Sequence, residues 1–86
     1  SILGKKPGEY VDLQDYVLLA TSSRGVFQYA QGRRLLLLTG GEKNSDFPLA
    51  EFAACLQLEQ ADIELCALAH RNSKTSRLEI MEVQEL

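Results

Sequence analysis

Two cysteines, one histidine, two prolines and no long hydrophobic run are all that this 86-residue chain offers of several diagnostic features. Each shortage excludes something. Apolar runs such as Leu35–Leu38 stop far short of the roughly 20 residues that a membrane-spanning helix needs. Ile2 and Leu3 lead straight into Gly4-Lys5-Lys6-Pro7-Gly8, so the apolar centre of a secretion signal is missing and no membrane partner is expected. Cys55 and Cys66 are too few for a disulfide framework. Their apolar neighbours, AACLQL and LCALA, make them small buried hydrophobes of a reducing, cytoplasmic setting. Two thiols and the lone His70 supply too few ligands for a metal site, so neither metal nor cofactor is expected. The first residue is Ser and the last two are Glu85-Leu86, which suggests a domain excised from a longer chain.

Basic excess is also scarce. The net charge is −3, with six Lys/Arg against four Asp/Glu in residues 1–43 (+2) and three against eight in residues 44–86 (−5). A polyanion binder carries a strong positive excess, and here only a small local one exists.

What is present is a 45% apolar and 24% charged composition, that of one small globular domain. GKKPGEY reads as an extended N-terminal arm over residues 1–10, leaving 11–86 as the domain. EYVDLQDY sets Tyr10, Leu13 and Tyr16 among Glu9, Asp12 and Asp15, an acidic and apolar strip suited to docking. Val17–Thr21 predicts a strand closed by the turn formers Ser22–Gly25. Val26–Ala30 alternates as a second strand, and Gln31-Gly32 turns into a third over Arg33–Thr39. Its four leucines are apolar on both faces, which places it inside a sheet. After a glycine-rich loop, Asp46 caps and Pro48 starts a helix whose Leu49, Phe52, Ala53 and Leu56 share one face. Residues 62–71, with acids early and His70-Arg71 late, predict a second helix with almost no polar face, buried on several sides. Leu78–Val83 closes as a strand. The expected fold is therefore α+β in the order β-β-β-α-α-β, a three-stranded antiparallel meander followed by two helices and a strand.

Several motifs come close and fail. Arg24-Gly25 followed by Phe27 and Tyr29 is near the RNA-recognition signature, in which exposed aromatics stack on bases. The aromatics stand three and five residues after the arginine instead of two and four, and one step along a strand moves a side chain to the other face. TGGEKNS lacks the G-x-x-x-x-G-K-[ST] spacing of a phosphate loop and puts Glu42 where phosphate would lie. A helix-turn-helix over 48–71 would offer an apolar reading helix with little to aim at base edges. Cys66 and His70 fall one helical turn apart, yet a helix C-terminus raises a thiol pKa and no third group orients the pair.

No nucleophile, carboxylate pair or ligand cluster is gathered, so the chain is not read as an enzyme. The expectation is a small protein-binding or regulatory domain, a homodimer through the apolar second helix and the Leu35–Leu38 strand. Partner contacts are assigned to Tyr10, Leu13, Tyr16, Arg24, Arg33 and Arg34. The alternative is a nucleic-acid binder that uses the basic patch Arg24, Arg33, Arg34 and Lys43, and a third is a small-ligand or catalytic domain built on His70 and Cys66.

Overall fold

The computed structural model describes residues 6–21, 26–39, 48–59 and 62–86, apart from the side chains of 20, 21 and 55–59. Arg24, Lys43, the Asp46 cap, the glycine-rich loop beyond Thr39 and the Cys55 side chain lie outside the described residues. Among the described residues six strands form one curled, half-barrel sheet with a single α-helix against it, so the chain is mainly β and not a two-helix α+β fold. The elements are β1 (Tyr10–Val11), a 3-10 turn (Leu13–Asp15), β2 (Val17–Thr21), β3 (Val26–Gln31), β4 (Arg34–Thr39), α1 (Leu49–Glu59), β5 (Leu65–Arg71) and β6 (Leu78–Glu85). Their order across the sheet is β1-β6-β5-β4-β3-β2.

The expected meander is β2-β3-β4, antiparallel throughout. Gln31 pairs with Arg34 across a two-residue turn, and Gly32 takes φ +59° there. A positive φ at the first turn position matches the twist of a hairpin and favours glycine. Leu35, Leu36 and Leu37 are buried in the middle of the sheet.

The second predicted helix is strand β5, parallel to β4 and antiparallel to β6. Leu65 to Ala69 are all buried. Parallel strands covered on both faces read as continuous apolar runs, and such a run has no period to separate strand from buried helix. Pairing decides it: β5 lies between β4 and β6, where its backbone N–H and C=O groups meet partners on both sides. Connecting parallel β4 and β5 requires a crossover, and α1 supplies it. A helix-turn-helix over 48–71 is accordingly absent. The predicted closing strand is present as β6, longer by two residues.

Side-chain alternation gives the sheet two apolar faces. On one, Val26, Leu35, Leu37, Cys66 and Leu68 meet Leu49 and Ala53 of α1, with Phe52 beside them. On the other, Leu36, Ala67, Ala69, Leu78 and Ile80 meet Val11, with Leu13, Tyr16 and Tyr29 packed against them. Ile80 and Val83, three residues apart, share that second face because the β5–β6 register shifts between Leu68 and Ala69. A bulge of this kind bends a strand and steepens its twist. Each fully buried leucine contributes about 1.5–3 kcal/mol relative to exposure.

Chain connectivity forces the curl. β1 and β2 are consecutive, yet they occupy opposite edges of the sheet. In a flat sheet five strand spacings would separate them, about 24 Å. A fully extended chain from Val11 to Val17 reaches only about 20 Å, and the 3-10 turn shortens it. The edges must therefore approach, and Leu13 and Tyr16 pass over the second face as the chain crosses. None of the described helices is long and apolar enough to cross a membrane.

Candidate functional site

Two surfaces stand out once the fold is in place. The first is β2. Val17, Leu18 and Leu19 are 68%, 53% and 48% exposed, and Phe27 on the neighbouring β3 is 37% exposed. Leu18 lies directly opposite Tyr29, and Phe27 opposite Thr21, so Leu18 and Phe27 belong to the same sheet face. Val17, paired with Ala30, projects to the other face. β2 bonds to β3 on one side and, among the described residues, to no strand on the other. Proteins usually protect such an edge with lysine, proline or a twist. VLLAT contains neither a charge nor a proline, and among the described residues what protects it is the register shift between Leu18 and Ala20.

The second surface is a cleft of about 410 Å³ between the N-terminal segment Tyr10–Leu13 and the β5–β6 hairpin, where Arg71 and Ser76–Leu78 form the wall. Main-chain pairing holds the two sides together. Gly8 donates its N–H to the Ile80 carbonyl and Ile80 donates to that of Glu9, each at 2.8 Å. The Arg77 guanidinium lies 3.9 Å from the centre of the Tyr10 ring, a stacking worth about 0.5–1 kcal/mol at an exposed site.

Asn72 builds the hairpin loop. Its Oδ1 accepts the N–H groups of Lys74 (2.8 Å) and Thr75 (3.2 Å), and its Nδ2 donates to Glu79 Oε1 at 3.1 Å. Arg71 Nη1 donates to the Ser76 carbonyl at 2.7 Å, across a residue held at φ +59°.

The residues expected to contact partners separate in the structure. Tyr10 and Leu13 both line the cleft. Tyr16 packs half-buried against the second core. Burial pushes its hydroxyl pKa up; the nearby Arg34 charge opposes this and Asp15 adds to it. Arg33, mostly exposed, makes two contacts within the fold. Its Nε donates to the Asp62 carbonyl at 2.9 Å and its Nη1 lies 3.6 Å from Glu64 Oε2. The apolar second helix and the Leu35–Leu38 strand, expected as dimer surfaces, are largely consumed by the core as β5 and β4.

Cys66 and His70 are not one helical turn apart. On a strand, four residues span about 13 Å. Cys66 is fully buried under α1, and burial pushes its thiol up to about 12. His70 Nε2 instead faces Glu79 Oε1 at 3.5 Å, next to it across β5–β6. Among the described residues, no group of three His, Cys, Asp or Glu side chains is placed to hold a metal ion.

Arg71 and Arg77 were invisible as site residues because a distant segment, β1, completes their cleft. The one local signal is that both flank the polar loop Asn72–Ser76, where hairpin arginines collect on one end of a sheet. Comparison with known families, with characterised proteins and with solved structures finds no match to this chain.

Proposed function

We propose that this chain is a non-enzymatic protein-interaction domain that pairs edge to edge with a second copy of itself along β2. The observation that carries this reading is an edge strand with no outer neighbour among the described residues and with three consecutive exposed apolar residues, Val17, Leu18 and Leu19. Antiparallel two-fold pairing sets β2 against its own sequence. VLLAT has no charge of either sign, so the pairing brings no like charges together. Main-chain hydrogen bonds extend the sheet, while Leu18 and Phe27 on one face and Val17 on the other leave water. The buried free thiol of Cys66 accords with a reducing, cytoplasmic setting. Binding to nucleic acid draws less support, because Arg33 is already committed to Asp62 and Glu64.

Light scattering coupled to size exclusion over a range of concentrations tests the proposal. A dimer is expected, and Leu18→Lys or Leu19→Lys converts it to a monomer with an unchanged circular dichroism spectrum. A chain that stays monomeric at every concentration, or a dimer indifferent to both lysines, overturns it. Titration with a random oligonucleotide at low salt separates the nucleic-acid reading, whose affinity falls steeply as salt rises.

A further inference from the structure

Beyond that self-pairing, and on the other edge of the sheet, the cleft between the N-terminal segment and the β5–β6 hairpin has the makings of a ligand site. We infer that it binds an oxyanion, carboxylate or phosphate, attached to a small apolar body. Arg71 and Arg77 would hold the anion, with Val11, Leu13 and Leu78 supporting the apolar part.

The placement of these groups follows from the sheet. Val11 pairs with Leu78, and Leu78 pairs with Arg71, so the three stand in one row across β1, β6 and β5. Val11 and Leu78 belong to the second core face, and Ala69, two residues before Arg71, belongs to it as well. Alternation therefore brings Arg71 to the end of that same curled face, at the mouth of the half-barrel. Leu13 reaches the row from the crossing segment. Polar groups make up more of the exposed lining than the small apolar floor of Val11, Leu13 and Leu78. Converging polar groups around an apolar floor, within the usual pocket size, suit a small ligand.

The charge balance favours an anion. Two guanidiniums face the cleft against one carboxylate, Asp12. Asp12 Oδ1 is occupied in accepting the Gln14 N–H at 2.9 Å, at the start of the 3-10 turn. Among the described residues neither Arg71 nor Arg77 has an acidic partner. Arg71 spends Nη1 on the Ser76 carbonyl, which fixes the guanidinium, and among the described residues its other N–H groups meet no further acceptor. Arg77 lies with its carbon over the Tyr10 ring, which restrains its plane while its edge remains able to donate. Two guanidiniums already oriented lose little freedom on meeting an oxyanion, and each forms charge-assisted hydrogen bonds.

Nuclear magnetic resonance on the full chain tests the site with benzoate, phenyl phosphate, inorganic phosphate and benzyl alcohol as probes. Benzoate or phenyl phosphate is expected to shift the Nε–Hε signals of Arg71 and Arg77 and the methyls of Leu13 and Leu78. The shifts should saturate in the millimolar range. The ratio of the two affinities tells which oxyanion is preferred. Arg71→Gln should weaken binding about tenfold, the loss of one charged hydrogen-bonding partner. Arg33→Gln, outside the cleft, should leave it unchanged, and dispersed amide signals verify that each variant is folded. No saturable shift with either aromatic anion overturns the inference, and so does equal binding of benzyl alcohol or of inorganic phosphate. Those two results would mean, in turn, that charge or the apolar floor contributes nothing.

Discussion

Leu36 lies directly across from Ala67 in the parallel β4–β5 pair, and both are shut off from water, at 0% and 3% exposure. The pair stands at the centre of the face that Leu13 and Tyr16 cross. Shortening Leu36 to Ala opens a cavity that neighbours on three strands cannot fill. Leu36→Ala is expected to destabilise the fold by about 3 kcal/mol, read as a lower urea midpoint. A loss under about 1 kcal/mol would mean that this face is loosely packed.

Gly32 offers a sharper backbone test. Open space surrounds the position where a Cβ would stand, so a substitution there meets no clash, only an unfavourable φ of +59°. Gly32→Ala should therefore cost about 1–2 kcal/mol through the left-handed backbone alone. Gly32→Asn should recover part of it, since Asn tolerates that region better. Equal stability of all three forms would refute the turn geometry.

The Cys66 thiol makes a prediction in pH. Its ordinary value is 9.0 and burial raises it to about 12. Below the ordinary value both folded and unfolded chains keep the proton, and the shift has no effect on stability. Between the two values the unfolded chain releases a proton that the folded chain retains, so unfolding gains and stability falls as pH rises. Tyr16 acts in the same direction above its ordinary 10.0. Denaturation curves in this range should weaken for the native chain and weaken less for Cys66→Ala. At neutral pH the folded thiol at position 66 should resist alkylation and react on unfolding.

The Asn72 side chain gives the hairpin loop three hydrogen bonds. Asn72→Ala should cost about 1–2 kcal/mol and speed amide exchange at Lys74 and Thr75. Unchanged exchange there would show that the loop keeps its shape without this side chain.

The exposed ion pair of Arg33 with Glu64 should behave otherwise. Both side chains are roughly half exposed or more, so Glu64→Gln should alter stability by less than about 1 kcal/mol, and by less still in high salt.

Local patterns carried the meander and the helix. Alternation in Val26–Ala30, the Gln31-Gly32 turn and the shared face of Leu49, Phe52 and Ala53 all depend on nearby residues, and the structure follows them. β5 was unreadable for the opposite reason: with Leu65–Ala69 buried throughout, no polar face marks a period. The acidic and apolar strip draws attention to Tyr10 and Leu13, which line the cleft, but the Arg71 and Arg77 that line it with them come from the far end of the chain. The exposure of β2 is likewise a matter of strand order. Val17–Leu19 resemble core residues in every local respect, and only their place at the edge leaves them in water.

The parallel seam between β4 and β5 bears on how the chain acquires its shape. On one side stands the β2-β3-β4 meander and on the other the β5-β6 hairpin, each joined by neighbours in sequence. Only the seam and the return of β1 to β6 unite distant stretches, at a high cost in chain entropy before any contact rewards it. The two locally paired halves are therefore expected to form before the seam closes. Until it does, the leucine-rich edge of β4 and the apolar edge of β5 stand open to the wrong neighbour.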